Sequence, residues 1–233
     1  MILIFRHVDC EGPGYLAEVL EREGYPYRLV QIDAGDSVPS DIEGVSGLVF
    51  MGGPMSVNDD LPWIQEEIDL IRKADARDIP VLGHCLGGQL MAKALDAVVT
   101  ENDVTEIGWF PVNKPGDALG ISWLRELPSE FMVFHWHGET FSMPLGATRI
   151  LANRHCTNQG FVVRNHIALQ CHVEMTAEMV EEWCKRFGPE LKPSRSVQAT
   201  EEMLHDLDTR ISELKTVADV IYLHWLKSVS KQV

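Results

Sequence analysis

The sequence predicts an α/β protein with a mostly parallel, doubly wound sheet and helices on both of its faces. Short apolar runs alternate with amphipathic stretches through the first hundred residues, and each apolar run has the length of a buried strand. Parallel strands need a crossover between them, so this alternation indicates a sheet covered on both faces. The 233 residues are 45% hydrophobic, which is enough to bury one sizeable core.

The first hundred residues contain the elements that define this pattern. Strands are predicted at Ile2–Phe5, Tyr27–Ile32, Gly47–Met51 and Ile79–Leu82. Helices are predicted at Gly14–Gly24, Leu61–Ala76 and Gln89–Leu95. In the second helix, Trp63, Ile64, Ile68 and Ile71 are spaced to form one buried stripe.

The chain changes character after residue 100, where short β-rich runs are separated by Gly, Pro and Asn. These runs are Glu106–Val112, Met132–Trp136, Thr148–Ala152, Gly160–Arg164 and His166–Cys171. Arg164-Asn165-His166 lies between the last two and predicts a tight hairpin. A helix follows at Thr176–Phe187, with Thr176 as its N-cap and Gly188-Pro189 as its stop.

One amphipathic helix is predicted from Met203 to Trp225, because apolar residues recur there at intervals of three and four. This pattern favours packing along the flank of the protein's own domain. A homodimer or partner surface is the alternative. We therefore divide the chain into a domain at residues 1–190 and a helical extension of the same domain at 191–233.

Composition limits the classes of partner and compartment. A formal charge of −15 disfavours a nucleic-acid partner, because phosphate contacts need clustered Lys and Arg. No stretch approaches the 18 apolar residues of a membrane span, and the apolar opening segment predicts a strand rather than a signal peptide. Five scattered cysteines without a C-x-x-C pair favour a reducing cytoplasm and leave room for a reactive thiol.

Gly83-His84-Cys85-Leu86-Gly87-Gly88 follows a strand directly and precedes a helix, which is the arrangement of a nucleophile elbow. Glycines allow the tight turn, and the turn projects Cys85 above the sheet edge in a strained backbone conformation. The helix N-terminus stabilises a thiolate and offers free N–H groups to an oxyanion. The alternative is that Cys85 is a small buried apolar residue. His84 is predicted to point away from the thiol and to be structural.

A thiol nucleophile needs a base, and the base needs a group that orients it. His172 ends the predicted strand His166–Cys171, and Glu174 follows two residues later. Side chains two residues apart in an extended segment point to the same face, so Glu174 can bond one ring nitrogen while the other faces Cys85. A His-x-Glu sequence alone is more often a surface pair. The chain order, with the nucleophile first, supports the catalytic interpretation.

Three blocks of this sequence resemble the signatures of class I glutamine amidotransferases. They are Gly83-His84-Cys85-Leu86-Gly87-Gly88-Gln89, Gly52-Gly53-Pro54 with Ser56, and Leu169-Gln170-Cys171-His172-Val173-Glu174. The resemblance runs from about Met1 to Phe187 and is nearest to stand-alone proteins related to the glutaminase domain of GMP synthase. In the family, Phe usually precedes the catalytic histidine and Pro follows it, where this chain has Cys171 and Val173.

The resemblance implies a flavodoxin-like class I glutamine amidotransferase fold and a catalytic triad of Cys85, His172 and Glu174. It also implies a γ-glutamyl thioester intermediate, the release of ammonia, and an oxyanion hole formed by the backbone N–H groups of Gly53 and Leu86. A separate synthetase that accepts the ammonia in trans is the implied partner. The chain itself shows neither a phosphate-binding loop of the G-x-x-x-x-G-K-[ST] kind nor a Ser-Gly-Gly-x-Asp pyrophosphatase signature.

The resemblance also suggests substrate contacts. Gln89 is the matching position for a glutamine contact, and Trp136 and His137 are expected to form the pocket wall. His135 and His137 share a face of one strand, but two histidines without a third ligand are weak evidence for zinc, so we predict no metal and no cofactor. Glu11 follows the first strand and either helps to select the substrate or is an exposed loop carboxylate.

Three functions are therefore open. The first is a glutamine amidotransferase or glutaminase that hydrolyses the side-chain amide of glutamine. The second is a γ-glutamyl peptidase or hydrolase that uses the same residues on γ-glutamyl conjugates. The third is a non-catalytic regulator that has kept the fold and uses the C-terminal helix as its contact surface.

Overall fold

The computed structural model describes residues 1–116 and 122–230, which form nine strands and six α-helices. The strands are β1 (Ile2–Arg6), β2 (Tyr27–Gln31), β3 (Gly47–Phe50), β4 (Val81–His84), β5 (Val99–Asn113), β6 (Glu130–Phe141), β7 (Thr148–Leu151), β8 (Gly160–Val163) and β9 (His166–Leu169). The helices are α1 (Tyr15–Glu23), α2 (Pro62–Ala76), α3 (Leu86–Ala94), α4 (Ala177–Phe187), α5 (Thr200–Leu204) and α6 (Leu207–Leu226).

Seven of the described strands form the central sheet, in the order β2-β1-β3-β4-β9-β8-β7. The first five strands in this order, namely β2, β1, β3, β4 and β9, pair in parallel. Strands β8 and β7 extend the sheet in antiparallel pairing. The predicted mostly parallel sheet is therefore confirmed. The pairing of β4 with β9 brings His84 opposite Leu169, so the end of each strand reaches the same edge.

Both faces of this sheet are covered, as the alternation of elements predicted. Ile2 and Ile4 of β1 pack into the apolar cluster that includes α1, α4 and α6, while Leu3 and Phe5 pack into the cluster that includes α2 and α3. Successive side chains of a strand point to opposite faces, which explains the near-continuous apolar sequence of β1. Of the helices described, none is both long enough and apolar enough to cross a membrane.

Strands β5 and β6 form a separate antiparallel pair that stands beside the central sheet. Both are longer than predicted, because the sequence pattern marked only their buried centres. Glu106 lies opposite His137 in this pair, and the register shifts between Glu101 and Glu106. The pair is joined to the central sheet where Phe134 and His172 exchange two backbone hydrogen bonds.

The local turn and cap predictions are confirmed. Val163 pairs with His166, so Arg164 and Asn165 form a two-residue hairpin turn, and Arg164 has a positive φ of 51°. The side-chain oxygen of Thr176 accepts a hydrogen bond from the Met179 N–H at 3.3 Å, which caps the first turn of α4.

The prediction of one helix from Met203 to Trp225 is wrong, because the segment forms two helices, α5 and α6. Asp206 adopts a left-handed conformation with φ of 53°, which a short polar side chain tolerates and which a continuous helix does not. The apolar periodicity runs through the break because Met203 and Leu207 are both buried on the same side. Periodicity alone therefore concealed the interruption.

Helix α6 packs along the flank of its own chain, as the preferred interpretation predicted. Its residues Leu214, Ile221 and Trp225 are buried, and the Tyr25 hydroxyl donates a hydrogen bond to the Leu226 carbonyl. The Arg22 guanidinium bonds Asp219 of α6 at 2.7 Å. Positions 231–233 of the predicted extension lie outside the described residues.

Candidate active site

The turn between β4 and α3 is a tight strand-to-helix turn with Cys85 at the N-terminus of the helix. Cys85 has φ of 49° and ψ of −107°, a strained conformation for a residue with a side chain. Its N–H donates to the Leu169 carbonyl of β9 at 2.8 Å, and its carbonyl accepts from the Gln89 N–H of α3. The strand on one side and the helix on the other therefore hold this strained residue in place.

The predicted need for small residues around the turn is confirmed at three glycines. A Cβ at Gly83 would lie 2.5 Å from the Gly87 carbonyl oxygen, and one at Gly87 would lie 2.0 Å from the Phe50 oxygen. A Cβ at Gly88 would lie 2.6 Å from the Leu169 oxygen. Helix α3 thus approaches β3 and β9 more closely than any side chain permits.

His172 and Glu174 lie together immediately after β9. Nδ1 of His172 is 2.6 Å from Oε1 of Glu174, although the family's usual proline between such residues is replaced by Val173. Burial disfavours the imidazolium form of His172, but the facing Glu174 carboxylate and Cys85 outweigh this effect and raise its pKa well above the ordinary value. Nε2 of His172 is buried and has no hydrogen-bond partner among the described residues.

The carboxylate of Glu174 is almost completely buried and is held in its charged form. Burial would raise its pKa, but the imidazoles of His84 and His172 lower it to about 2. His84, which the sequence predicted to point away from the thiol, places Nε2 at 3.6 Å from Oε2 of Glu174. It therefore contacts the buried side of the His172–Glu174 pair.

The loop after β3 lies against the elbow and brings Gly53 beside Leu86. A Cβ at Gly53 would lie 2.9 Å from Cδ2 of Leu86. Leu86 begins α3, so its N–H has no acceptor within the helix. His7 holds this loop in place, because its Nδ1–H donates to the Gly52 carbonyl at 3.1 Å. Its Nε2 lies 3.0 Å from the Glu67 carboxylate.

A cleft of about 390 Å³ opens beside Cys85. Its walls include all three residues predicted as substrate contacts, namely Gln89, Trp136 and His137, and also Gly53 of the expected oxyanion hole. Glu139 adds a carboxylate to the wall and accepts a hydrogen bond from the Ser56 hydroxyl at 2.9 Å. The volume and the mixture of polar and apolar walls suit a small polar ligand.

Two residues of this site were missed or left undecided by sequence reasoning. Nε2 of Gln170 donates to Sγ of Cys85 at 3.5 Å, and its Oε1 accepts from Gln89 at 3.2 Å. The pairing of β4 with β9 creates these contacts, and no local sequence motif predicts that Gln170 contacts Cys85. For Glu11 the sequence left two alternatives, a residue that helps to select the substrate or an exposed loop carboxylate. The residue is only 8% exposed and lies against the site.

A second buried polar cluster lies behind the cleft wall. Glu106, His135 and His137 bring one potential ligand atom each to within 4.8 Å of one another, so Glu106 supplies the third group that the two histidines lacked in the sequence. Glu106 also accepts hydrogen bonds from Asn153 and Gln159. The cluster could hold a cation, but these donors already satisfy the carboxylate, and the absence of a metal stays a prediction.

This doubly wound fold, with a strained cysteine at the end of its fourth strand, is the fold of the class I glutamine amidotransferases. Residues 8–187 match the family model described as glutamine amidotransferase class-I. The chain therefore belongs to that family, whose members generally hydrolyse glutamine and work with a synthetase partner.

Individual proteins show the same relationship. The crystal structure of a glutamine amidotransferase from Methylobacillus flagellatus shares 42% identity and a TM-score of 0.95, and the alignment covers 100% of this chain and 96% of that one. The glutamine amidotransferase-like protein YfeJ of Salmonella typhimurium is 29% identical over 181 residues, 75% of this chain and 76% of that protein. GMP synthase of Wolbachia pipientis is 28% identical over 157 residues, which are 66% of this chain and 27% of the synthase.

Proposed function

We propose that this protein hydrolyses the side-chain amide of glutamine through a thioester on Cys85 and releases ammonia. The observation that carries the proposal is the His172–Glu174 pair, held at 2.6 Å, with the second ring nitrogen of His172 unpartnered beside a strained cysteine. A base oriented in this way can take a proton from a thiol and later return it to a leaving amine.

The proposed reaction has two halves. His172 Nε2 takes the thiol proton of Cys85, and the thiolate attacks the Cδ carbonyl of glutamine. The N–H groups of Gly53 and Leu86 stabilise the oxyanion of the tetrahedral intermediate. The imidazolium then gives its proton to the leaving nitrogen, the C–N bond breaks, and ammonia departs from a γ-glutamyl thioester.

Hydrolysis of the thioester completes the cycle. His172 Nε2 takes a proton from water, the resulting hydroxide attacks the thioester carbonyl, and the C–S bond breaks. The thiolate of Cys85 recovers the proton from His172, and glutamate leaves. The raised pKa of His172, caused by Glu174 and Cys85 against the effect of burial, supports its role as the proton carrier in both halves.

The cleft walls support recognition of the amino-acid end of the substrate. Glu139 is the acidic group that can pair with an α-ammonium, and Gln89, Trp136 and His137 line the same cleft. Glutamine is therefore the proposed substrate. Its ammonia would be used by a separate synthetase, since GMP synthases are among the relatives and this chain matches about a quarter of their length.

A γ-glutamyl hydrolase is the second candidate, and a specific observation favours it. Glu11 and several aromatic rings line another cleft beside Cys85. A leaving group as small as ammonia needs no such binding surface, whereas a larger amine does. A reducing cytoplasm suits either activity, because all five cysteines are unpaired thiols.

Glutamate formation from glutamine by the purified protein tests the proposal. We expect Cys85→Ala to abolish it and Cys184→Ala, a control at a buried thiol of α4, to leave it unchanged. Turnover that survives Cys85→Ala would exclude the thioester route. A non-catalytic regulator would instead give a Cys85 that a γ-glutamyl chloroketone fails to label, as measured by intact mass.

A further inference from the structure

Cys85 lies between two clefts, and the smaller one is not used by the glutamyl group in the proposed reaction. The cleft of about 390 Å³ contains the polar groups suited to an amino acid. A second cleft, of about 80 Å³, shares Gly53, Pro54, Cys85 and Trp136 with the first. A substrate whose glutamyl part fills the first cleft and whose carbonyl meets Cys85 directs its leaving group into the second.

The second cleft is lined by an unusual carboxyl group, that of Glu11. The residue is 8% exposed, and the charged groups that act on its carboxyl are the imidazoles of His172 and His7 and the Glu174 carboxylate. A Cβ at Gly52 would lie 2.2 Å from Oε2 of Glu11 and 3.1 Å from Cε1 of His172, so this carboxyl lies beside the proposed base. Burial disfavours the carboxylate form of Glu11 more than the imidazoles of His172 and His7 favour it, so a bound cationic group would stabilise that form.

The remaining walls of the second cleft are aromatic. Trp136 stands edge-on to Trp183, with ring centroids 5.7 Å apart, and Phe187 lies 6.0 Å from Trp136. Trp183 in turn stands at 88° to the ring of His172. Aromatic faces and one carboxylate are the groups that bind organic ammonium ions, through cation–π attraction and an ion pair.

We propose that this second cleft binds a positively charged alkylamine leaving group, so that the protein prefers γ-glutamyl amides of short diamines. The inference rests on the proposed γ-glutamyl hydrolysis at Cys85. The Glu11 carboxylate attracts a terminal ammonium and repels a terminal carboxylate, which disfavours γ-glutamyl peptides. The volume of the cleft equals that of two to three water molecules, at about 30 Å³ each, and admits a chain of a few heavy atoms.

The charge of Glu11 makes this preference dependent on pH. Burial raises the pKa of Glu11 to about 7, with Glu174 acting in the same direction and the imidazoles of His172 and His7 opposing it. His172 and Glu174 lie in the segment after β9, and His7 lies in the segment after β1. Cys85 lines the same cleft, to which helix α4 contributes the rings of Trp183 and Phe187. The carboxylate forms as pH rises through about 7, and the preference for a cationic leaving group rises with it.

Three substrates with short two-carbon leaving amines test the proposal, namely the γ-glutamyl amides of ethylamine, ethylenediamine and glycine. Their leaving groups end in a methyl, an ammonium and a carboxylate. We expect kcat/KM to fall in the order ethylenediamine, ethylamine, glycine, with at least tenfold between the first and the last at pH 8. The ratio of kcat/KM for the ethylenediamine amide to that for the glycine amide should decrease at pH 6. All three substrates use the same triad, so the effect of pH on the triad cancels in that ratio.

Glu11→Gln is the decisive variant, because it keeps the shape of the side chain and removes its charge. We expect it to reduce the discrimination to less than threefold at both pH values, while Phe187→Leu lowers turnover of the ethylenediamine amide without reversing the order. Discrimination that Glu11→Gln leaves intact would overturn the assignment of the second cleft, even if glutamine is hydrolysed. Failure of the wild-type protein to hydrolyse glutamine and every γ-glutamyl amide would instead overturn the proposed function, and the assignment with it.

Discussion

The hydroxyl oxygen of Tyr222 lies 2.9 Å from Nε2 of His84, directly behind the cysteine turn. His84 Nε2 is also 3.6 Å from Oε2 of Glu174, whose other oxygen bonds His172. A chain of polar groups therefore runs from helix α6 to the proposed base. We propose that residues 191–233 belong to the same structural unit as residues 1–190, because α6 supplies part of the support for the active site.

Removal of the Tyr222 hydroxyl tests that support. Tyr222→Phe frees His84 to turn and loosens the position of Glu174, so we expect kcat for glutamine to fall roughly threefold to tenfold with KM unchanged. Tyr25→Phe is the matched control, since its hydroxyl bonds the Leu226 carbonyl of the same helix, whereas the Tyr222 hydroxyl contacts His84. Equal losses of kcat in both variants would indicate that α6 acts only through stability.

The Glu174 carboxylate orients His172, so its charge is expected to be essential. Glu174→Gln removes the anion that raises the pKa of His172, and the amide can hold the wrong ring tautomer. We expect kcat to fall by about 10²–10⁴ and the pKa of His172, followed by NMR, to decrease. Glu181→Gln at an exposed position of α4 is the control. A loss below threefold at Glu174 would remove this residue from the proposed triad.

The fold and the approach of the proposed reacting residues to one another could be predicted because their signals are local in sequence. Gly83, Gly87 and Cys85 specify the elbow within five positions, and the spacing of His172 and Glu174 follows from an extended backbone. The partners of these residues could not be predicted in the same way. Gln170 reaches Cys85 through strand pairing, and Tyr222 reaches His84 across 138 positions of sequence, so only tertiary packing brings them together.

The buried pair of His7 and Glu67 positions the loop that contains Gly53. The Glu67 carboxylate raises the pKa of His7 against the effect of burial, and the protonated ring can donate to both Glu67 and the Gly52 carbonyl. Glu67→Gln leaves this buried ring without its counter-ion, so we expect a loss of about 3 kcal/mol in the free energy of unfolding, measured with urea. Glu66→Gln, one residue earlier and exposed, should change it by less than about 0.5 kcal/mol.

The Glu106 cluster is expected to be stable without an ion. The carboxylate accepts hydrogen bonds from Asn153 and Gln159, and Nε2 of His137 lies 3.1 Å from it, which leaves little reason for a cation. We predict that elemental analysis of the purified protein finds less than about 0.1 equivalent of zinc, and that EDTA leaves the melting temperature unchanged. Stoichiometric zinc that Glu106→Gln removes would contradict this prediction.

The same cluster predicts how stability depends on pH. Burial lowers the pKa of His135 to about 3, so the folded protein keeps this ring neutral while the unfolded chain protonates it below its ordinary value of 6.5. At this site the unfolded state therefore binds more protons between about pH 6.5 and 3, so His135 reduces stability as pH decreases through that window. Glu106 acts in the same direction at lower pH, because its histidine partners outweigh burial and lower its pKa from 4.5 to about 2.

The loss from His135 amounts to a few kcal/mol over the whole window. Glu11 opposes it above about pH 4.5, because burial raises the pKa of that carboxyl from 4.5 to about 7 and the folded state then binds the additional proton. The contribution of His135 is therefore measured by comparing wild type with a variant that lacks the ring. His135→Gln removes the ionisable ring and keeps a polar group. We expect its melting temperature to decrease less, or to increase more, between pH 6.5 and 5 than that of wild type, with lower stability at pH 7. His205→Gln is the control, because His205 is exposed and outside the cluster. If the slopes of wild type and His135→Gln coincide, protonation of His135 does not drive the acid sensitivity. Another buried imidazole, such as His84 or His166, whose pKa burial also lowers, would then be responsible.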